Sequence, residues 1–169
     1  VYKLERNVIW AVTELPGGSK VQKGVIHPLL HKGAVVRWLN REASFDVAEL
    51  EPAERRSSTY VLQEYFVPRR SFLPFAHAMG KLLVERSVQA LNVSIRHSPP
   101  DTVSMLPWAR EEVFAFVLYY KQGTSPAACE AVARWTRELI DLALEHGGRY
   151  YLPYQLHATQ AQFDRAYPG

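Results

Sequence analysis

The sequence predicts an α+β sandwich, an antiparallel sheet carrying two helices on one face, and three observations lead there. From Thr59 onward the hydrophobic pattern alternates between strand-like and helix-like periods in the order strand, helix, strand, strand, helix, strand. Each helix has a start signal: Ser71 ahead of Phe72, and Ser125 followed by Pro126 at the first helical position. Residues 90–97 alternate, with Leu91, Val93 and Ile95 on one side of an extended chain and Asn92, Ser94 and Arg96 on the other.

Residues 59–67 are rich in β-branched and aromatic side chains and end at Pro68, as a strand should. Phe72, Phe75, Ala76, Met79, Leu82 and Leu83 then recur at helical spacing, with Pro74 tolerated in the first turn. The 90–97 strand follows. Residues 98–110 form a loop with Pro99, Pro100, Asp101 and Pro107 ahead of Trp108, long enough to be more than a connector. A continuous apolar run over 112–121 reads as a central strand. Ala128, Val132, Trp135, Leu139 and Leu142 give the second helix its stripe, and Gly147-Gly148 ends it. A last short strand is expected over 150–154, and Thr159 with Gln162 marks a capping box for a closing helix to about Tyr167. This order is the split βαβ pattern of a ferredoxin-like sandwich.

Residues 1–58 read as an irregular N-terminal extension. Short strands are expected over 8–12 and 34–39, with Pro16-Gly17-Gly18-Ser19 as a turn between them. Residues 40–58, with Glu49, Glu51, Glu54, Arg55 and Arg56, read as a solvated connection. His27 and His31 have a metal-ligand spacing, but Pro28 argues against a regular helix there and no third ligand is near, so no metal site is expected.

At 169 residues, 47% hydrophobic and 22% charged, the chain has the composition of about one globular domain. No apolar run has the length of a spanning helix and no secretory segment opens the chain, so a cytoplasmic protein is the default expectation. The single Cys129 rules out an internal disulfide. A net charge of only +3, from scattered basic residues, argues against nucleic acid as a partner. Phe114-Ala115-Phe116-Val117-Leu118-Tyr119 imitates the aromatic stretch of RNA-recognition modules, yet Glu112-Val113 stands where a basic residue and glycine would be needed. Asn92-Val93-Ser94 satisfies the glycosylation sequon by accident of a strand sequence. The absence of an initiator Met before Val1 suggests a piece of something larger.

One sheet face carries the helices, and the other faces water or a partner. On it are expected Asn92, Ser94 and Arg96, joined by either the Val117, Tyr119, Lys121 set or the Phe116, Leu118, Tyr120 set. Either set is more apolar than a solvated face requires, so a cover is expected. Neither a nucleophile motif nor a phosphate loop is present. What remains is a collection of donors: Arg96, Lys121, Gln63, Tyr65 and the stretch Tyr151-Leu152-Pro153-Tyr154. Such a set can orient a polyhydroxylated or anionic ligand.

Four stretches, Gln63-Glu64-Tyr65-Phe66-Val67-Pro68, Asn92-Val93-Ser94-Ile95-Arg96-His97, Phe116-Val117-Leu118-Tyr119-Tyr120-Lys121 and Gly147-Gly148-Arg149-Tyr150-Tyr151-Leu152-Pro153, are similar in order and spacing to the C-terminal substrate (cap) domain of FAD-dependent oxidoreductases of the vanillyl-alcohol oxidase type. The branch it resembles includes aldonolactone and alditol oxidases. The resemblance implies that an upstream domain, outside this chain, binds FAD. The cap over residues 59–169 would hold a small-molecule substrate such as a polyol, sugar or lactone, so that an alcohol carbon passes hydride to the flavin N5. It implies Arg96 as a catalytic residue; Lys121 as a second catalytic group is expected from sheet adjacency, and Gln63, Tyr65, Ser94, Tyr119 and Tyr154 are expected as substrate contacts from the side chains at hand. Relatives in that branch carry a Glu-x-Arg pair where this chain has Ser94 and Arg96, and a His-Trp-Gly-Lys stretch where it has Tyr151-Leu152-Pro153-Tyr154, so Lys121 is expected to replace the missing lysine. The alternative is a free-standing ferredoxin-like ligand-binding or dimerisation module whose open face is an interface.

Overall fold

Ser58–Pro68 is the first strand, β1, its β-branched and aromatic side chains favouring the pleat and its terminal proline ending the ladder. The computed structural model describes Val8, Ala11, Val12, residues 16–26, Pro28 and residues 56–168. After β1 come helix α1 (Phe72–Glu85), strands β2 (Gln89–Ser98) and β3 (Val113–Gly123), helix α2 (Pro126–Glu145), strand β4 (Arg149–Tyr150) and a closing helix α3 (Gln160–Ala166). The sheet order is β2-β3-β1-β4, with every neighbouring pair antiparallel. This is the ferredoxin-like split βαβ sandwich expected from the sequence.

The register decides what each face carries. Tyr65 lies opposite Phe116 and Gln63 opposite Leu118, while on the far side of β3 Ile95 lies opposite Phe116 and Val93 opposite Leu118. A bulge between Ala90 and Asn92 precedes an unbroken run of pairs to Ser98. Tyr65, Val67, Phe116, Leu118 and Tyr120 pack with Phe75, Met79 and Leu83 of α1, with Val132, Trp135, Leu139, Ile140 and Ala143 of α2, and with Ala166 and Tyr167 at the end of α3. Of the two β3 sets left open by the sequence, the Phe116 set therefore faces the helices. Each large side chain fully buried there contributes about 1.5–3 kcal/mol.

The helix ends follow local chemistry. Ser125 Oγ accepts from Ala128 N at 3.2 Å, and Thr159 and Gln162 exchange the two hydrogen bonds of a capping box, at 3.0 and 3.2 Å. Ser71 occupies the N-cap position of α1 but does not cap it. Its hydroxyl donates instead to the His146 carbonyl, 2.8 Å away, tying the start of α1 to the end of α2. Beyond α2, Gly147 takes a φ of +74°, and a Cβ on Gly148 would lie 2.2 Å from the Phe66 carbonyl oxygen. Only glycine allows β4 to approach β1 there.

Two expectations are corrected. The last strand ends at Tyr150 rather than continuing to Tyr154. Tyr151 N still donates to the Glu64 carbonyl at 2.9 Å, but Pro153 has no donor to extend the ladder and the chain turns away. In the N-terminal segment Val8, Ala11 and Val12 are helical, because a short apolar run has no period that separates a strand from a buried helix. Pro16 and Gly17 do form a turn, with Gly17 at a φ of +81°, followed by a short helix Gly18–Val21 and a π-helical turn Gln22–Ile26. The strand expected over 34–39, most of the charged connection, and His27 and His31 lie outside the described residues. By contacts the chain divides into two compact units, Val1–Ala53 and Glu54–Gly169.

Candidate functional site on the open sheet face

Strand alternation puts Tyr60, Leu62, Glu64 and Phe66 of β1, Asn92, Ser94 and Arg96 of β2, and Ala115, Val117, Tyr119 and Lys121 of β3 on the face away from the helices. Within residues 56–168 the helices α1, α2 and α3 all pack on the other face. One end is nevertheless covered by the chain itself. The β2–β3 loop folds back so that Trp108 and Ala109, together with Tyr151, pack on Phe66, Val113 and Ala115. Trp108 lies 4.8 Å from Phe66 between ring centroids, Tyr151 meets Phe66 edge-on at 6.0 Å, and Tyr154 meets Tyr151 at 4.9 Å.

The loop is held by polar contacts of its own. Asp101 Oδ1 accepts from Ser104 N at 3.0 Å and Val103 N at 3.1 Å, and Asp101 N donates to Ala109 O at 2.7 Å. The bonds from Ser104, aided by Val103, keep the Asp101 carboxyl below its ordinary pKa. Arg149 of β4 donates to the Pro107 carbonyl, with its guanidinium carbon 5.1 Å from the centre of the Tyr167 ring. At the rim His97 Nε2 is 2.7 Å from Glu112 Oε1, and this hydrogen bond, helped by Arg69, lowers the Glu112 pKa.

Between the loop and the sheet lies a groove of about 350 Å³ lined by Glu64, Phe66, Arg96, His97, Ser98, Trp108, Ala115 and Tyr151. Glu64 is half-buried; desolvation raises its carboxyl pKa and the positive charge of Arg96 partly reverses the shift. Tyr154 stands within reach of both: burial raises its phenol, Glu64 and Tyr151 add to this, and Arg96 opposes it. A carboxylate, a guanidinium and a phenol thus share one patch beside an aromatic wall.

Of the residues expected at a site, Arg96 lines the groove and Tyr154 stands beside it. Ser94 is on the same face, opposite Val117, and its Oγ accepts from Asn92 Nδ2 at 3.2 Å. Lys121 and Tyr119 share the face but do not line the groove. Lys121 is in register with Tyr60 and Gln89, six residues along β3 from Ala115, the partner of Arg96, a run of about 20 Å. Tyr119 stacks on Tyr60 at 5.6 Å, between these two points. Lys121 and Arg96 thus stand toward opposite ends of the open face.

Gln63 and Tyr65 point to the helix side. Gln63 is 3% exposed and Tyr65 1%. Gln63 Nε2 donates to Tyr120 OH at 2.9 Å and Thr136 Oγ1 at 2.8 Å, and Gln63 Oε1 accepts from the Tyr65 hydroxyl. These are mutually satisfied core groups. Sequence reasoning quoted Glu64 and Trp108 but gave them no part in a site. The signal for Glu64 was parity: with Tyr65 and Val67 in the core, Glu64 belongs on the opposite face, as Arg96 does. Trp108 had no such signal, because a loop has no period.

The arrangement can bind and orient a small hydroxylated ligand, with polar groups at one side and aromatic surface at the other. Among the described residues no group of three His, Cys, Asp or Glu side chains is placed to hold a metal ion. In comparisons with known proteins, no family model matches the chain, and no curated protein matches it significantly.

Proposed function

We propose that residues 59–169 are the substrate-binding (cap) part of an FAD-dependent oxidoreductase of the vanillyl-alcohol oxidase type, oxidising an alcohol. The observation that carries this reading is the groove on the open face, where Arg96 and Glu64 meet the aromatic wall of Trp108, Phe66 and Tyr151. A sheet covered by helices on one side and carrying a walled ligand groove on the other is suited to lie over a flat cofactor held by another domain.

The residues fit the task of facing a flavin rather than gripping it. Gly148 is packed against the Phe66 carbonyl and so is not part of a phosphate cradle. FAD would be held by an upstream domain and, when bound, supplies the two-electron acceptor. Arg96 orients a substrate oxygen through its fixed fork of donors. The aromatic wall excludes water from the reacting carbon and fixes the plane of the ligand. No described helix is long and apolar enough to cross a membrane.

The test is the product of the intact reading frame, purified without added cofactor. FAD released from it in about one equivalent per chain supports the reading. A protein free of flavin that takes up none on reconstitution overturns it. A self-association weakened by Arg96→Met, seen in sedimentation of that same flavin-free protein, would point to the dimerisation module instead.

A further inference from the structure

We propose that a second cavity, at the β4 edge of the domain, is a binding site for a small phosphate monoester held by Arg149 and Arg110. Its volume is about 330 Å³, its apolar walls include Trp108 and Leu144, and its charged residues are Arg110, Glu111, Arg149 and Arg165. Arg149 lies on β4 in register with Phe66 and is only 6% exposed. One of its guanidinium nitrogens donates to the Pro107 carbonyl, and its guanidinium carbon stands 5.1 Å from the centre of the Tyr167 ring. Those two contacts fix the group in place. They do not neutralise it: a guanidinium has five N–H donors, and among the described residues only the Pro107 carbonyl accepts from this one.

The charge balance of the cavity selects the ligand. Glu111 pairs with Arg70, and Arg165 pairs with Asp141 at 3.3 Å, so both are already compensated. Arg149 and the exposed Arg110 enter no ion pair with a described residue. A buried cation without a counter-charge is costly, and the cavity beside Arg149 has room for one drawn from solution. Two open guanidinium charges match a phosphate monoester, which carries about two negative charges at neutral pH. The planar fork of N–H donors matches its oxygens as well. The carbonyls at the C-terminal end of α2 would oppose an anion, but they are occupied. Leu142 O accepts from His146 N at 3.2 Å, Ala143 O from Gly148 N at 2.7 Å and Leu144 O from Gly147 N at 3.0 Å. Small-molecule sites run from roughly 300 to 1,000 Å³. This one, near the lower bound, takes a phosphate with a small organic group against Trp108 and Leu144.

The test titrates the full chain with two probes of similar shape and different charge, phenyl phosphate and phenyl sulfate, at low ionic strength and neutral pH. Binding is read from the NMR shifts of the arginine Nε–H and tryptophan indole N–H signals. Phenyl phosphate is expected to bind about tenfold more tightly than phenyl sulfate and to shift the Arg149 signal. Arg110→Met, at an exposed position, should weaken phenyl phosphate about tenfold and bring the two probes within about threefold of each other. Arg149→Met should lose at least as much, with circular dichroism confirming that it is folded; where it unfolds, Arg110→Met decides. Equal native affinities for the two probes, no saturable binding of phenyl phosphate, or an affinity unchanged in Arg110→Met overturns the proposal. Shifts centred on Arg96 instead of Arg149 overturn it too, by placing the anion in the open-face groove. None of these readouts involves flavin, so the result stands apart from the oxidoreductase reading.

Discussion

Glu64 and Arg96 sit diagonally across β3 on the face away from the helices, and the guanidinium lowers the carboxyl pKa that burial raises. Removing Arg96 therefore leaves only the upward push. In Arg96→Met the Glu64 carboxyl should titrate at higher pH than in the native protein, as read by carbon-13 NMR of the side-chain carboxyl. Under the proposed function, the same change in the intact protein should lower turnover about 100-fold with FAD occupancy unchanged, since one oriented donor at a reacting oxygen is lost. A Glu64 titration that stays where it was would separate the two residues.

The same shift makes stability depend on pH. Glu64 holds its proton more tightly folded than unfolded, so its stabilising contribution is complete below the ordinary carboxylate pKa and is lost as pH rises through the higher folded value. Glu64→Gln has no charge to desolvate. Its melting temperature should exceed the native one at neutral pH, with the gap closing in acid below the ordinary carboxylate value. An equal gap at all pH values would assign the effect to packing.

Under the sheet, Gln63 joins Tyr65, Tyr120 and Thr136 by hydrogen bonds. Gln63→Leu fills similar space, takes away the acceptor of the Tyr65 hydroxyl and a donor to Thr136, and leaves Tyr120 OH only Gln122 Oε1 at 3.4 Å. It should cost about 3 kcal/mol in urea denaturation. A stability equal to that of the native protein would show that these bonds contribute nothing to it.

Lys121 is the control for position. Lying about 20 Å along β3 from the partner of Arg96, it should tolerate Lys121→Met with turnover within about threefold of native. A loss as deep as that of Arg96→Met would place both groups at one ligand.

Gly148 tests the seam between β4 and β1. A Cβ there would meet the Phe66 carbonyl oxygen at 2.2 Å and the Ala143 carbonyl oxygen at 2.9 Å, both backbone atoms. Gly148→Ala should therefore destabilise by about 3 kcal/mol. A melting temperature equal to the native one would show that the seam yields without cost.

Ser94 leaves β2 without a carboxylate on the open face, yet that face still carries one, from Glu64 on β1. Neighbouring side chains within a strand cannot reveal such a substitution across strands, because register is a property of the pair.

From the sequence alone came everything whose cause is local: the order of strands and helices, the caps at Ser125 and Thr159, the stop at Gly147, and the rule that Arg96 shares a side with Ser94 and Asn92. Period two and capping chemistry act within a few residues, so one chain segment suffices to read them. Tertiary structure decided which parity of β3 meets the helices, the burial of Gln63 and Tyr65, and the return of Trp108 over the sheet. Those outcomes depend on competition for a single core and on register between strands far apart in the chain, and that competition brought Glu64 beside Arg96 while leaving Lys121 at the far end.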